Sequence, residues 1–434
     1  MKKIILFLSM ILLLTGCSYK EGTTLTDDSL NFNLDISKLN IEETKTLIQN
    51  EFDNLSINLY QNNKIVDTIY YKDLNIDLNL DNINFDEIDK GINNLYINYT
   101  INKDDIKNLL PKLNCIKNGT TSKDAYIENW KIVEEVYGTK LNEDKLVEFL
   151  YTELSNKNRE IFLDDTLLES IPTITKEDVS LNERINIYNS YVNNSITYIL
   201  GEEKINLDLS KWIDLSDTNE VILKEDLILD YVNDLANNYN TFQESMLFTT
   251  SKDITVEVPG GNYGWEIDVE KEFEELKLNI LNKETIIREP IWSHKGYKDY
   301  INGLQGDYIE ISITDQKLWL YIDYDLILET NIVSGNESKN WGTPSGIFGL
   351  TYKTRNAVLR GADYETPVKY WMPFNGNIGM HDASWRGSFG NSIYLKNGSH
   401  GCINLVPNIS KYIYSYVDTN FPIILYDYNE DNYE

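Results

Sequence analysis

The chain has 434 residues, is 41% hydrophobic and carries a formal net charge of −30. Its length and composition are those of a globular protein with several domains rather than of a disordered chain. The acidity argues against nucleic acid as a partner, because phosphate backbones require a basic surface. With three cysteines and three histidines, neither a disulfide framework nor a clustered metal site is expected.

The first residues are typical of an export signal. Lys2 and Lys3 precede an apolar stretch, Ile4 to Leu14, that is too short to span a bilayer as a helix. The stretch ends in LTGC, which resembles a bacterial lipobox, where cleavage before the cysteine leaves that cysteine carrying lipid. We therefore expect a signal peptide over residues 1–16, lipidation of Cys17 and a polar tether over residues 17–30. An uncleaved signal anchor and an ordinary secretory signal are the alternatives.

Two segments with the same order of helix and strand patterns follow. IEETKTLIQNEF has helical spacing and LSINLY alternates as a strand; further on, ERINIYNSYV and SITYIL repeat that order. The segment from Tyr137 also resembles the segment from Tyr263, which indicates an internal duplication with an offset of about 126 residues. We predict two α+β domains, at residues 31–170 and 171–290.

The segment GGNYGWEIDVEKEFEELKLNI, residues 260–280, resembles the peptidoglycan-binding module found ahead of some bacterial cell-wall enzymes. This resemblance implies that the two α+β domains are peptidoglycan-binding repeats. The alternatives are a spacer or clamp, or a glycine turn that simply leads into a strand and an amphipathic helix. Proline and glycine then mark a linker at residues 291–306.

The last part of the chain, residues 307–434, is predicted as mainly β. From Asp307, β-branched and aromatic residues alternate, and the turn DYD interrupts them as in a hairpin. FPIILYDY is predicted as a further strand, and NISKYIYSYV as a short helical turn in a region with few other helices. The predicted fold is thus multidomain, with α+β repeat domains followed by a mainly β domain.

The segment NGSHGCINL carries the features of a cysteine nucleophile. Such a nucleophile needs a base, and it needs donors for the oxyanion that forms at the attacked carbonyl. The N–H groups around Gly401 and Cys402 can supply those donors if the chain turns there. His400 and His381 compete as the base, but His381 is followed by Asp382, whose side chain or carbonyl can orient the imidazole. We therefore predict His381 as the base.

Three segments, TPSGIFGL, YWMPFNGNIGMHDASW and GSHGCINL, together resemble the catalytic domain of an L,D-transpeptidase of the YkuD type. That signature is a histidine, a spacer and Ser/Thr-His/Arg-Gly-Cys, followed by an apolar residue and Arg or Asn. The resemblance covers roughly residues 308–426, and the fixed positions are His381, Ser399, His400, Gly401, Cys402, Ile403 and Asn404. Because Asn404 stands where many members have Arg, no guanidinium contact is inferred at that position.

The resemblance implies a β-sandwich in which Cys402 is the nucleophile, His381 the base and Asp382 its orienter. Ser399, His400 and Gly401 are then expected to shape the site and the oxyanion region. The implied reaction is acyl transfer through a thioester, giving 3→3 cross-links between peptidoglycan stem peptides, and carbapenems are expected to acylate Cys402. If water replaces the acceptor amine, the enzyme is an L,D-carboxypeptidase.

The implied location is the extracytoplasmic face of the cell membrane and the cell wall, with a lipid anchor, stem peptides as partners, and a monomeric chain. No cofactor, nucleotide or metal is expected, because the chain has no phosphate-binding glycine loop and its histidines are widely spaced. A wall-binding lipoprotein with a non-catalytic C-terminal domain is the alternative. A sortase-like enzyme fits poorly, because the Leu-x-Thr-Cys type of strand is missing.

Three residues near the motif have side chains suited to substrate binding. Trp371, Tyr352 and Asn404 are the candidates, although core packing is the alternative for the aromatic residues. Between residues 351 and 411 seven basic residues outnumber three acidic ones, a local net charge of +4 that favours a substrate with carboxylates, unless these charges share no face. Cys115 is predicted to be a buried, inert thiol.

Overall fold

The computed structural model describes residues 18–20, 23–27, 32–76, 78–88, 97–299, 301, 304–361 and 365–428. The predicted signal peptide and Cys17 lie outside these residues.

The chain divides into two compact units, residues 1–185 and 186–434. The division falls inside a helix rather than at the predicted boundary of residue 170, and the second predicted α+β domain shares a unit with the C-terminal domain. No helix among the described residues has both the length and the apolar character that crossing a bilayer would need.

The first unit is built around a small mixed sheet. In it β3 forms a hairpin with β4 and pairs in parallel with β7, in the order β4-β3-β7. Helix α1 starts where the Asn40 side chain accepts from the Glu43 N–H and the Glu43 carboxylate accepts from the Asn40 N–H, a capping box. Its buried face includes Ile48 and Phe52. The elements are β1 Thr24–Asp27, β2 Phe32–Asp35, α1 Ile41–Asp53, β3 Ser56–Gln61, β4 Lys64–Tyr70, α2 Phe85–Ile88, α3 Lys103–Leu109, α4 Asn114–Lys117, β5 Tyr126–Glu128, β6 Lys131–Val133, α5 Glu143–Ser155, β7 Glu160–Leu163 and α6 Val179–Val192.

The α+β part of the second unit repeats this arrangement. Its sheet has the order β15-β8-β9, in which β8 and β9 are antiparallel and β8 and β15 are parallel. Helix α8 and strand β15 follow α5 and β7 at an offset of about 126 residues. The elements are β8 Ile196–Leu200, β9 Glu203–Asn206, β10 Ile213–Leu215, β11 Val221–Leu223, α7 Glu225–Tyr239, β12 Met246–Thr249, β13 Thr255–Val258, β14 Glu266–Ile267, α8 Val269–Leu281, β15 Ile286–Arg288 and β16 Trp292–His294. Strand β16 pairs with β14, so the predicted linker begins inside this domain.

The C-terminal domain contains two sheets that share one apolar core, which confirms the predicted strand-rich fold. One sheet has the order β19-β18-β17-β25-β20 and the other β21-β22-β23-β24. Core residues come from both sheets, among them Ile311 and Leu425 from the first and Met372 and Met380 from the second. The elements are β17 Tyr308–Ser312, β18 Lys317–Ile322, β19 Asp325–Asn331, β20 Gly346–Gly349, β21 Thr354–Arg360, β22 Glu365–Asn375, β23 Ile378–Asp382, α9 Ile393–Asn397, β24 Ile403–Leu405, α10 Pro407–Tyr416 and β25 Pro422–Tyr426.

The helical turn predicted at NISKYIYSYV is longer than expected, because the ten-residue helix α10 covers all of this segment except Val417. Pro407 occupies the first turn, where its fixed φ suits a helix and its missing N–H costs nothing. Ile409, Ile413 and Val417 then recur at a spacing of four residues and pack against the core. Helix α10 lies against β22 and β23, the strands that carry the candidate site.

The glycine-rich segment at residues 260–264 contacts the C-terminal domain directly. The Asn262 side chain donates to the Phe374 carbonyl at 2.8 Å and accepts from the Gly349 N–H at 3.0 Å, so it links β20 to β22. At Gly261 a Cβ would lie 2.2 Å from the Ile347 carbonyl oxygen, so only glycine permits this approach. The segment that resembled a wall-binding module thus also supports the strand next to the site.

Candidate active site

The two halves of the sequence motif meet at neighbouring strands. His381 and Asp382 end β23, and Cys402 directly precedes β24. The strands are parallel, with His381 opposite Asn404 and Met380 opposite Ile403. This register places the loop that carries Cys402 beside the imidazole, although 20 residues separate the two in the chain.

The loop before β24 is held by a tight set of hydrogen bonds. The Ser399 hydroxyl donates to the Cys402 carbonyl at 2.5 Å and accepts from the Gly401 N–H at 3.1 Å. The Thr343 hydroxyl donates to the Gly401 carbonyl at 2.8 Å. Gly401 has a φ of +111°, which a side chain would strain. The Gly401 N–H, one of the two oxyanion donors expected from sequence, is thus already bonded to Ser399.

His381 is buried, with 4% of its surface exposed, and both ring nitrogens have partners. Nδ1 lies 3.0 Å from the Asp382 carbonyl oxygen, and Nε2 lies 3.1 Å from Asn404 Nδ2. Arg386 Nε donates to Asn404 Oδ1 at 2.6 Å. Because arginine can only donate, the Asn404 oxygen must face Arg386 and its NH₂ must face His381. Nε2 is therefore the acceptor, and His381 is the neutral tautomer that carries its proton on Nδ1.

The protonation equilibria fit this geometry. Burial lowers the pKa of His381, the nearby charge of Arg386 lowers it further, and the carbonyl and charge of Asp382 oppose that shift. Burial also raises the pKa of the Cys402 thiol, against a smaller opposite effect of the Gly379 N–H. The resting pair is thus a neutral imidazole and a neutral thiol, and the thiol needs a base before it can attack.

Asp382 orients the imidazole through its backbone, a choice that the sequence left open. Its carboxylate Oδ1 instead accepts from the N–H groups of Lys369, at 2.7 Å, and Tyr370, at 2.9 Å. These bonds fix β22 against the end of β23. The aspartate side chain therefore positions a strand, while its carbonyl positions the histidine.

His400 lies at the surface rather than beside the buried imidazole. Its ring stacks on Trp341, with ring centroids 4.0 Å apart and planes 25° apart. The Lys339 ammonium lies over the Trp341 ring, with Nζ 4.6 Å from the ring centroid. His400 thus forms part of the lining of the cavity that Cys402 and His381 also line.

A cavity of about 220 Å³ opens onto the reactive groups. Its lining includes His381, Cys402, Asn404, Trp385, Arg386 and Thr366. Trp371 and Tyr352, predicted from sequence to bind substrate, lie outside this lining. Trp371 is buried against Cys402 and Val368, and its Nε1 donates to the Tyr352 hydroxyl at 3.4 Å. Tyr352 itself is about half exposed.

The basic residues counted between residues 351 and 411 do not share one face of the site. Arg360 pairs with Glu365, and Lys353 pairs with Asp418. Arg386 is the member of this group that lines the cavity. The sequence analysis included Arg386 only in the count of basic charges. Its position directly after the HDASW segment is the feature that could have indicated a place in the site. Among the described residues, no group of three His, Cys, Asp or Glu side chains could hold a metal ion.

Comparison with known proteins agrees with the fold and the motif. The model of the L,D-transpeptidase catalytic domain (YkuD) matches residues 306–425, and that of the prokaryotic membrane lipoprotein lipid attachment site matches residues 1–18. A cysteine-to-serine mutant of the Enterococcus faecium L,D-transpeptidase is 33% identical, covering 56% of this chain and 100% of that one, with a TM-score of 0.49. The E. faecium catalytic domain acylated by ertapenem is 35% identical, covering 29% of this chain and 100% of that one, with a TM-score of 0.27. A search of curated proteins finds no match.

The C-terminal domain is thus a strand-rich YkuD-type domain with a cysteine and a histidine at one cavity. The family match shows that residues 306–425 form an L,D-transpeptidase catalytic domain of the YkuD family.

We predict that His381 stays neutral on its Nδ1–H tautomer down to a pH below the ordinary histidine pKa of about 6.5. The unfolded chain binds this proton more readily than the folded chain, so stability falls as the pH drops below about 6.5. NMR of ¹⁵N-labelled histidine, assigned by loss of one signal in His381→Gln, measures both the tautomer and the pKa. A His381 signal that titrates at or above 6.5 would contradict the assignment.

Proposed function

We propose that the protein is a membrane-anchored L,D-transpeptidase that forms 3→3 cross-links between peptidoglycan stem peptides through a thioester on Cys402. The observation that supports this best is the state of His381. It is a buried neutral imidazole with its proton donated to the Asp382 carbonyl and its Nε2 lone pair facing the cavity wall formed by Asn404. Cys402 lines the same cavity, so a base and a nucleophile serve one substrate.

The first step makes the thiolate. His381 Nε2 takes the proton of the Cys402 thiol, and the sulfur adds to the carbonyl between the L-centre of the third stem residue and the terminal D-Ala. Nε2 must give up its bond to the Asn404 N–H at this point, because its lone pair receives the thiol proton. The Cys402 N–H is the proposed donor to the developing oxyanion.

The second half transfers the acyl group. His381 returns its proton to the nitrogen of D-Ala, the C–N bond breaks and a thioester remains on Cys402. The side-chain amine of a neighbouring stem attacks the thioester, loses a proton to His381 and forms the new amide, and the sulfur leaves and is reprotonated. With water as the nucleophile the product is a tripeptide acid instead of a cross-link.

Some of the surrounding residues hold the loop and the base in position, and others are placed to contact the substrate. Ser399 and Gly401 fix the loop that presents Cys402, and Trp371 forms a wall behind the sulfur rather than a surface for substrate. Tyr352 and His400 are exposed enough to contact a stem peptide. Asn404 contacts His381 and Arg386, which makes it a positioning residue for the base.

The N-terminal half is proposed to hold this domain at the wall. The lipid attachment match over residues 1–18 supports a membrane-anchored protein whose domains face outward. The two α+β domains share one strand arrangement, which supports the predicted duplication. We propose that they bind or span peptidoglycan between the anchor and the site.

The activity is tested with the chain from residue 18 and a disaccharide-tetrapeptide, followed by mass spectrometry. We expect D-Ala release and cross-linked dimers, together with an ertapenem adduct, all lost in Cys402→Ala. D-Ala release without dimers would assign carboxypeptidase activity instead. Absence of both products with an intact, folded enzyme would refute catalysis and favour a wall-binding role.

Asp382→Asn distinguishes the carbonyl from the carboxylate. The asparagine keeps the carbonyl bonded to His381 and keeps an oxygen that can accept from Lys369 and Tyr370. We therefore expect the rate of ertapenem acylation to fall by less than about tenfold, against about 10⁴-fold for an aspartate that acts as in a serine-protease triad. His381→Ala is the control and should abolish acylation; a loss as large in Asp382→Asn would reverse the assignment.

Lipidation is tested by metabolic labelling with a fatty acid in the host cell. We expect label on the wild-type protein and partition into detergent, both lost in Cys17→Ala. Cys115→Ala is the matched control, because Cys115 is buried and should not affect the anchor. Labelled Cys17→Ala protein would contradict a lipid on this residue.

A further inference from the structure

The guanidinium of Arg386 is the unexplained group of the site. It is partly buried at the cavity, and two of its nitrogens are used: Nε donates to Asn404 and Nη1 donates to the Asn397 carbonyl at 2.8 Å. Both acceptors are neutral. Within the described part of the chain no carboxylate pairs with Arg386, and its Nη2 donates to no residue there.

An unpaired, partly buried charge is costly unless something compensates it. Burial lowers the pKa of Arg386, which reflects that cost, and no acidic side chain of the cavity lining opposes it. The two fixed hydrogen bonds also hold the guanidinium plane in place, so little side-chain freedom remains to be lost on binding. Such a group is prepared for an anion with two oxygens.

We propose that Arg386 binds the terminal carboxylate of the donor stem peptide, that is, the carboxylate of the leaving D-Ala. This inference rests on the proposed function and names the group that the site recognises. It makes the enzyme selective for a donor whose last residue ends in a free acid, and it disfavours donors extended or blocked at that end.

The position of Arg386 agrees with this carboxylate rather than another. The D-Ala nitrogen must come close to His381 Nε2, from which it takes its proton. Two hydrogen bonds through Asn404 connect Nε2 to Arg386. Asn404 Nδ2 lies 3.1 Å from His381 Nε2, and Asn404 Oδ1 lies 2.6 Å from Arg386 Nε. In D-Ala the carboxylate is attached one carbon beyond the nitrogen, on the side away from the attacked carbonyl. A carboxylate on the third residue lies on the other side of the scissile bond.

Binding is measured on Cys402→Ala, which cannot turn over its ligand. Two stem tetrapeptides are compared by calorimetry, one with a free D-Ala carboxylate and one with a carboxamide there. We expect the amide to bind about 10- to 100-fold more weakly, the range for a charge-assisted hydrogen bond. A third peptide, with the carboxylate of its third residue amidated, should bind within about threefold of the free acid.

Variants in the same background assign the effect to one residue. Arg386→Met should abolish the preference for the acid, and Arg386→Lys should keep part of it because the charge remains. Lys411→Met is the matched control, because it removes an equal charge from an exposed position of α10 outside the cavity and should keep the preference.

Equal binding of acid and amide by Cys402→Ala overturns the proposal, and this comparison needs no substitution at Arg386. A preference that appears only for the third-residue carboxylate, or that Lys411→Met removes as fully as Arg386→Met, also overturns it. Failure of the proposed function is seen separately. If the wild-type protein releases no D-Ala but Cys402→Ala prefers the acid through Arg386, the carboxylate site stands and the transpeptidase proposal falls.

Discussion

The pairing of β23 with β24 is the constraint on which the rest of the site depends. In a parallel pair the register decides which residues lie side by side, and a shift of one residue would turn every side chain to the other face. His381 lies opposite Asn404, so the imidazole and the amide that fixes its tautomer share one face. The same register brings Cys402 to the mouth of the cavity. Helix α10 and the core between the sheets hold these strands in place.

Burial gives the site both its chemistry and its resting state. Burial disfavours charge, so it favours the neutral imidazole of His381 and the neutral thiol of Cys402. It also strengthens every hydrogen bond that the reaction uses. The structure meets the cost of this burial locally, because His381, Asn404 and the Asp382 carboxylate all have partners.

The sequence predicted the parts that depend on local pattern or on a compact motif. The hairpin of β18 and β19 around the DYD turn and the strand-rich C-terminal domain could both be anticipated. His381 bonds to the Asp382 carbonyl, one of the two groups that the sequence offered as its orienter. The length of helix α10 was underestimated because Asn, Ser, Ile and Tyr are weak helix formers, and its stability comes from Ile409, Ile413 and Val417 packing on the core. The role of the Asp382 carboxylate was missed for a related reason. Its partners are N–H groups of β22, and no local pattern reveals which strand will lie beside it.

Asn404 departs from the pattern of the family, and the structure shows which contacts the asparagine makes instead. Many members have arginine at that position, and from sequence alone the asparagine leaves no basis for a guanidinium contact there. In the fold, Arg386 brings a guanidinium to the same place from a loop 18 residues earlier and donates to the Asn404 oxygen. The exchange separates two tasks, since a neutral amide now fixes the tautomer of His381 while the cation faces the cavity. An arginine at 404 could not do the first task by the same means, because it has no acceptor to receive a bond from Arg386. Asn404 and Arg386 therefore act as one unit, in which the amide holds the His381 ring and the guanidinium brings a positive charge to the cavity.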